Sequence, residues 1–146
     1  NFDKHWRALR DAGVITGIEY EKATFAQYYR NLGEFRAPFD DPDSSVSRAG
    51  LRLKSINSRL TKCPYEAAFL NSGGTMSNAE YAANLIPTMR SWSETVFRTA
   101  LAGRATGEID RIVDQFYGSY QAEVAADPAG HAMDYVHIIL DIEKVS

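Results

Sequence analysis

The sequence predicts an α+β fold in which helices outnumber strands, and three observations carry that reading. Between about Asn78 and Leu101, the residues Ala82, Leu85, Ile86, Met89, Trp92, Val96, Phe97 and Leu101 recur at steps of three and four, as on one face of an amphipathic helix. After Thr106 the same period returns in Ile109, Ile112, Val113, Phe116, Tyr117 and Tyr120, and Asp127-Pro128 stops it. Val46 to Leu60 and Met133 to Val145 instead carry the period of two that belongs to strands.

The elements follow in order. Phe2 to Leu9 reads as a short helix closed by Asp11-Ala12-Gly13, because glycine suits a left-handed helix exit, and Val14-Ile15 is an apolar corner. Phe25, Tyr28 and Tyr29 have helical spacing, but the stronger signal is Asn31 with Glu34, a capping-box-like start before Phe35. Pro38 and the run from Asp40 to Ser45 keep that helix short and end it in a surface loop. Val46 to Leu60 reads as one strand, with a second a further option across Ile56-Asn57-Ser58; Ala49, Leu51 and Leu53 share one face and Arg48, Arg52 and Lys54 the other. Asn71 to Thr75 is a flexible link, and Ser77 with Glu80 caps the long helix, in which Pro87 predicts a kink or a late start. Arg90, Glu94 and Arg98 on its polar face are spaced for salt bridges, and Thr106 is read as the cap of the next helix. The last strand carries Val136, Ile138, Leu140 and Ile142 on one face and Tyr135, His137 and Ile139 on the other. Such a strand belongs inside a sheet, yet one or two strands do not make a stable one alone.

With 146 residues, 45% of them apolar, the chain is long enough for one core, and a single domain over residues 1–146 is expected. The aromatic share of 12% and near balance of charge exclude a disordered tail. A net charge of −3 supplies no positive field for phosphate, so neither nucleic acid nor a membrane surface is expected as partner. No apolar run approaches the roughly 18 residues of a membrane-spanning helix. Cys63 is alone, which fits a reducing, cytoplasmic setting. The first residue is Asn1 and not Met, and the chain is expected to begin partway through a longer one.

Phosphate-loop, nucleophile-elbow, zinc-helix and dinucleotide motifs are all missing. His5, His131 and His137 are too scattered for a local metal site, so no metal is expected. Ser72-Gly73-Gly74-Thr75 reads as a linker rather than an anion cradle, and Arg48, Arg52, Lys54, Arg59 and Lys62 read as a solvated face. By pattern alone Met89 and Trp92 are core residues.

The order of the motifs, however, resembles the C-terminal part of the S-adenosylmethionine-dependent carboxyl methyltransferases, the salicylate, jasmonate and caffeine-synthase (SABATH) family. Leu9 to Ile15 is similar to that family's helix and Gly-hydrophobic-Ile corner, and Phe25, Tyr29, Asn31 and Glu34 resemble its next motif, with Asn31 where Ser is usual and Gln27 where Pro is common. Gly50-Leu51-Arg52-Leu53 resembles a strand entered through glycine. Met89-Arg90-Ser91-Trp92-Ser93-Glu94 resembles the Met-Arg-x-x-x-Glu helix, Ile109 to Tyr120 an acidic-aliphatic helix, and Tyr135 to Lys144 the closing strand.

The resemblance implies a helix-rich cap whose few strands complete a Rossmann-like methyltransferase sheet, the N-terminal half of which lies outside this chain. It implies that Met89, Trp92 and Tyr135 bind a small-molecule carboxylic acid, and that Trp92, larger than the usual aliphatic residue, shortens the pocket or goes with a different acceptor; the aromatics Phe25 and Tyr29 are added as substrate-binding candidates. The chemistry implied is in-line attack of the carboxylate oxygen on the methyl carbon of S-adenosylmethionine, held by residues outside this chain. Such a step needs alignment and a dry site more than an acid or base, so no catalytic residue is expected here. The rival readings are a helix-rich module that forms a homodimer through the strand edge or the Met89/Trp92 stripe, and a stand-alone domain that binds a small aromatic ligand in a pocket of Phe25, Tyr28, Tyr29 and Trp92.

Overall fold

The computed structural model describes residues 1–145, which form seven helices and one two-stranded antiparallel sheet, so the α+β class is the observed one. In chain order these are α1 (Phe2–Asp11), α2 (Gly17–Lys22), α3 (Leu32–Asp40), α4 (Ser45–Arg48), β1 (Leu51–Thr61), α5 (Pro64–Asn71), α6 (Asn78–Ala100), α7 (Thr106–Ala126) and β2 (Tyr135–Lys144). They group into two compact units. The first takes Asn1–Ala26 and Pro64–Ala132; the second takes Gln27–Cys63 and the segment from Met133 onward. No helix among the described residues is long and apolar enough to cross a membrane.

The first unit is all helical. Its core lies where α1, α6 and α7 meet, on Trp6, Phe97 and Phe116, whose rings are 4.3 to 5.5 Å apart, with Leu85, Ile112, Val113 and Val124 buried around them. α1 forms because Phe2, His5, Trp6 and Leu9 share one face while Asp3 and Arg10 sit at the ends that the helix dipole favours. The chain then leaves through Gly13 at φ 70°, whose amide donates to the Arg10 carbonyl. α6 is capped by Ser77 and Glu80 as the sequence predicts, and it runs without interruption through Pro87 rather than starting late. Glu94 bonds both Arg90 and Arg98, which reach across to Asp114 and Asp110 of α7.

The second unit is built on the β1–β2 ladder, with α3 and α4 against β1. Asn31 and Glu34 cap α3 reciprocally, as expected. The register runs from Leu51 opposite Lys144 to Thr61 opposite Tyr135, with an irregularity between Leu53 and Ser55. That bulge shifts the half-buried positions from Leu51 and Leu53 to Ile56, which breaks the simple alternation of the sequence. Asp134 ties the far end, accepting from the Cys63 amide and the Lys62 ammonium at 2.8 Å each.

Four local expectations are corrected. Val46 lies in α4, not in a strand, because the Ser44 side chain accepts from the Ser47 amide at 3.0 Å and starts a helical turn. β1 begins only after Gly50 and then continues unbroken through Ile56, Asn57 and Ser58. Thr106 is the first helical residue rather than the cap; Ala105 occupies the cap position without a side-chain bond. The stretch holding Phe25, Tyr28 and Tyr29 is not helical, since Tyr28 and Tyr29 are exposed and offer no buried face to support a helix there.

Gly50 gives a sharp stability prediction. It sits at φ 72°, and a Cβ there would lie 2.6 Å from the Val145 carbonyl oxygen, so backbone must move. Its own carbonyl accepts from the Val145 amide at 2.7 Å. Gly50→Ala is expected to cost about 1–2 kcal/mol in urea denaturation; a cost below about 0.3 kcal/mol would show that β1 and β2 are not held this closely.

Candidate functional site

The five candidate substrate-binding residues fall into both units. Phe25, Met89 and Trp92 lie in the first, Tyr29 and Tyr135 in the second. Within the first unit the structure brings three of them together on one patch. Met89 and Trp92 are one turn apart on α6, and Phe25 reaches Trp92 from the extended segment after α2, with ring centroids 5.9 Å apart. Phe2 completes the group, stacked on Phe25 at 5.7 Å and tilted to Trp92 at 5.6 Å.

Trp92 is 43% exposed, so it is not the core residue that helical period alone predicts. The position turned toward α7 is Ser93, fully buried, whose hydroxyl donates to the Met89 carbonyl and pairs with the Tyr117 hydroxyl at 2.7 Å. Burial pushes the Tyr117 phenol up to about 12, which keeps it a neutral hydrogen-bonding group. A small polar residue thus takes the inward position, and the neighbouring indole is left on the rim.

Beside this patch, and sharing Phe2 and Phe25 with it, a cavity of about 240 Å³ opens between α1, α2 and α6, with Phe97 also lining it. Trp6, Asp3, Tyr20 and Glu21 line it as well. The Tyr20 hydroxyl donates to Asp3 at 2.5 Å and holds that carboxyl below its ordinary range, with Arg7 adding to the effect. The Arg10 guanidinium lies 4.5 Å from the centre of the Tyr20 ring on the same edge. Nothing in the sequence joins Phe2, Trp6 and Tyr20, because α1 and α2 converge only through the turn at Gly13.

Tyr29 is 85% exposed and its hydroxyl bonds Gln27. Tyr135 opens β2 with its ring 6.0 Å from that of His137. The Ser72-Gly73-Gly74-Thr75 link, read as a linker rather than an anion cradle, has its hydroxyls engaged locally. The Ser72 hydroxyl donates to Phe69 and accepts from Met76, Thr75 bonds back to Ser72, and the start of α6 is taken by its own capping box. No protein-family model matches this chain, and no curated protein matches it either.

Proposed function

We propose that this chain is the acceptor-binding cap portion of a cytoplasmic, S-adenosylmethionine-dependent methyltransferase that acts on a small-molecule carboxylate. The observation that supports this reading best is the meeting of Phe25 and Trp92. Distant in sequence, Trp92 assigned to the acceptor side by the resemblance and Phe25 a further substrate-binding candidate, they lie in ring contact, with Trp92 half open to solvent. An aromatic face of this kind can hold a flat apolar body and exclude water from its reactive end.

A second feature supports the same reading. β1 and β2 form a ladder of only two strands, on which Val136 and Leu60 are mostly exposed and Ile139 and Ile142 remain partly open. A two-stranded ribbon is marginal alone, and these apolar positions suit the end of a larger sheet. In this reading that sheet and the cofactor site belong to a Rossmann-like half outside the chain, and no methyl-transfer step runs through residues described here.

The test uses the full-length product of the gene, assayed for methyl transfer to a panel of carboxylic acids. Trp92→Ala is expected to change the ranking of acceptors by about tenfold or more in kcat/KM, while affinity for S-adenosylhomocysteine is unchanged. An unaltered ranking, or an absence of transfer to any acid, overturns the reading. So does tight binding of S-adenosylhomocysteine by the 146-residue chain alone.

A further inference from the structure

Met89 and Trp92 share a support that lies out of any ligand's reach. Ser93 follows Trp92 on α6 and is fully buried, and its hydroxyl donates to the Met89 carbonyl at 2.5 Å. A hydroxyl has one hydrogen to give, so the Ser93 oxygen accepts in turn from the Tyr117 hydroxyl of α7 at 2.7 Å. Two linked hydrogen bonds thus run from α7 to the backbone of Met89, through the immediate neighbour of Trp92. Burial pushes the Tyr117 phenol up to about 12, so it keeps the proton it donates.

Packing alone does not ask for this pair. Phe116 and Phe97 lie 4.8 and 6.1 Å from the Tyr117 ring, and the Arg90 guanidinium lies 5.2 Å from its centre. Alanine opposite phenylalanine would keep those ring contacts without burying two hydroxyls. What the hydroxyls add is direction, because their bonds hold only over a narrow range of distance and angle and are costly to lose inside a core. The middle of α6 is where direction is needed. Pro87 has no amide to give the Ala83 carbonyl. Past that missing rung the Ser91 hydroxyl bonds back to Thr88 and the Ser93 hydroxyl to Met89, and side-chain bonds of this kind often bend helices. We propose that the buried Ser93 and Tyr117 pair positions the acceptor wall: it sets the rotation of the middle of α6, and so the angle at which Met89 and Trp92 meet the acid, without touching the acceptor itself. This role rests on the methyltransferase reading and adds to it a determinant of specificity behind the wall.

The test uses the full-length product of the gene and the ratio of kcat/KM between two accepted carboxylic acids that differ in ring number. Partial misfolding lowers both acids in proportion and leaves the ratio unmoved, whereas a re-aimed wall changes it. Ser93→Ala combined with Tyr117→Phe removes both hydroxyls and leaves neither orphaned. It is expected to change the ratio about fivefold or more, with affinity for S-adenosylhomocysteine unchanged. Tyr117→Phe alone, which keeps the ring and the Ser93 bond to Met89, is expected to change it in the same direction by less, and decides the matter should the double variant fail to fold. A wild-type ratio in the deciding variant overturns the proposal; where Trp92→Ala still alters the ranking of acids, the methyltransferase reading stands without it. An absence of transfer to any acid by the wild type overturns both.

Discussion

Phe116→Ala is expected to lower stability by about 3–5 kcal/mol, the range for deleting a buried aromatic side chain. Phe116 is fully buried, and its ring touches Phe97 at 4.3 Å, Tyr117 at 4.8 Å and Trp6 at 5.5 Å. Its neighbours come from α1, α6 and α7, so no single side chain can move to fill the space. Small domains are stable by only about 5–15 kcal/mol, which makes this loss large enough to leave a substantial unfolded fraction at 37 °C. Urea denaturation followed by far-ultraviolet circular dichroism measures it. The matching control is Trp92→Ala, which removes a larger side chain from the rim and should cost about 1 kcal/mol. If Phe116→Ala cost no more than Trp92→Ala, the core of the first unit would not be where α1, α6 and α7 meet.

Arg104→Met is expected to cost about 2–3 kcal/mol and to flatten the acid limb of the stability curve. Arg104 grips both oxygens of Glu19, at 2.6 and 2.7 Å, and a third nitrogen bonds Glu108 at 2.6 Å. The Arg104 and Glu19 side chains are 19% and 15% exposed, so the pair is only partly screened by water. Through it the six-residue α2, too short to persist alone, is fastened to the turn between α6 and α7. The Arg104 bond chiefly, and the Thr16 capping bonds after it, hold the Glu19 carboxyl at about 2, down from 4.5. Because the folded value lies below the unfolded one, this contribution is complete above pH 4.5 and is lost as pH falls toward 2. The variant should therefore lose less stability than the wild type across that window, and amides of α2 should exchange faster at neutral pH. Parallel pH profiles for the two proteins would show that the pair does not couple α2 to the fold.

Several elements were legible from residues alone because their signals are local. Ser77 with Glu80 and Asn31 with Glu34 each satisfy the amides of their own first turn, so they mark helix starts whatever surrounds them. The stripes of α6 and α7 were equally plain over twenty or more residues. Thr16 with Glu19 is the same device, but the six residues it starts carry no apolar stripe long enough to mark a helix. α4 was hidden for a related reason: Val46 sits next to a true strand and fits its period, while one Ser44 hydrogen bond is enough to turn the backbone.

The sequence by itself determined the helical majority, the two long strands, the caps, and the aromatic inventory from which any site must be made. Only the tertiary structure decided which aromatics meet. Period places Met89, Trp92 and Phe97 on one broad face, but the pairing of Ser93 with Tyr117 sets the rotation of α6 and leaves Trp92 at the rim. Phe2 and Phe25 reach Trp92, and Trp6 comes to line a cavity with Phe97, through the turn at Gly13 and the extended segment after α2. Side-chain neighbours far apart in sequence depend on how helices cross, and crossing is fixed by packing the whole core, which no window of residues contains.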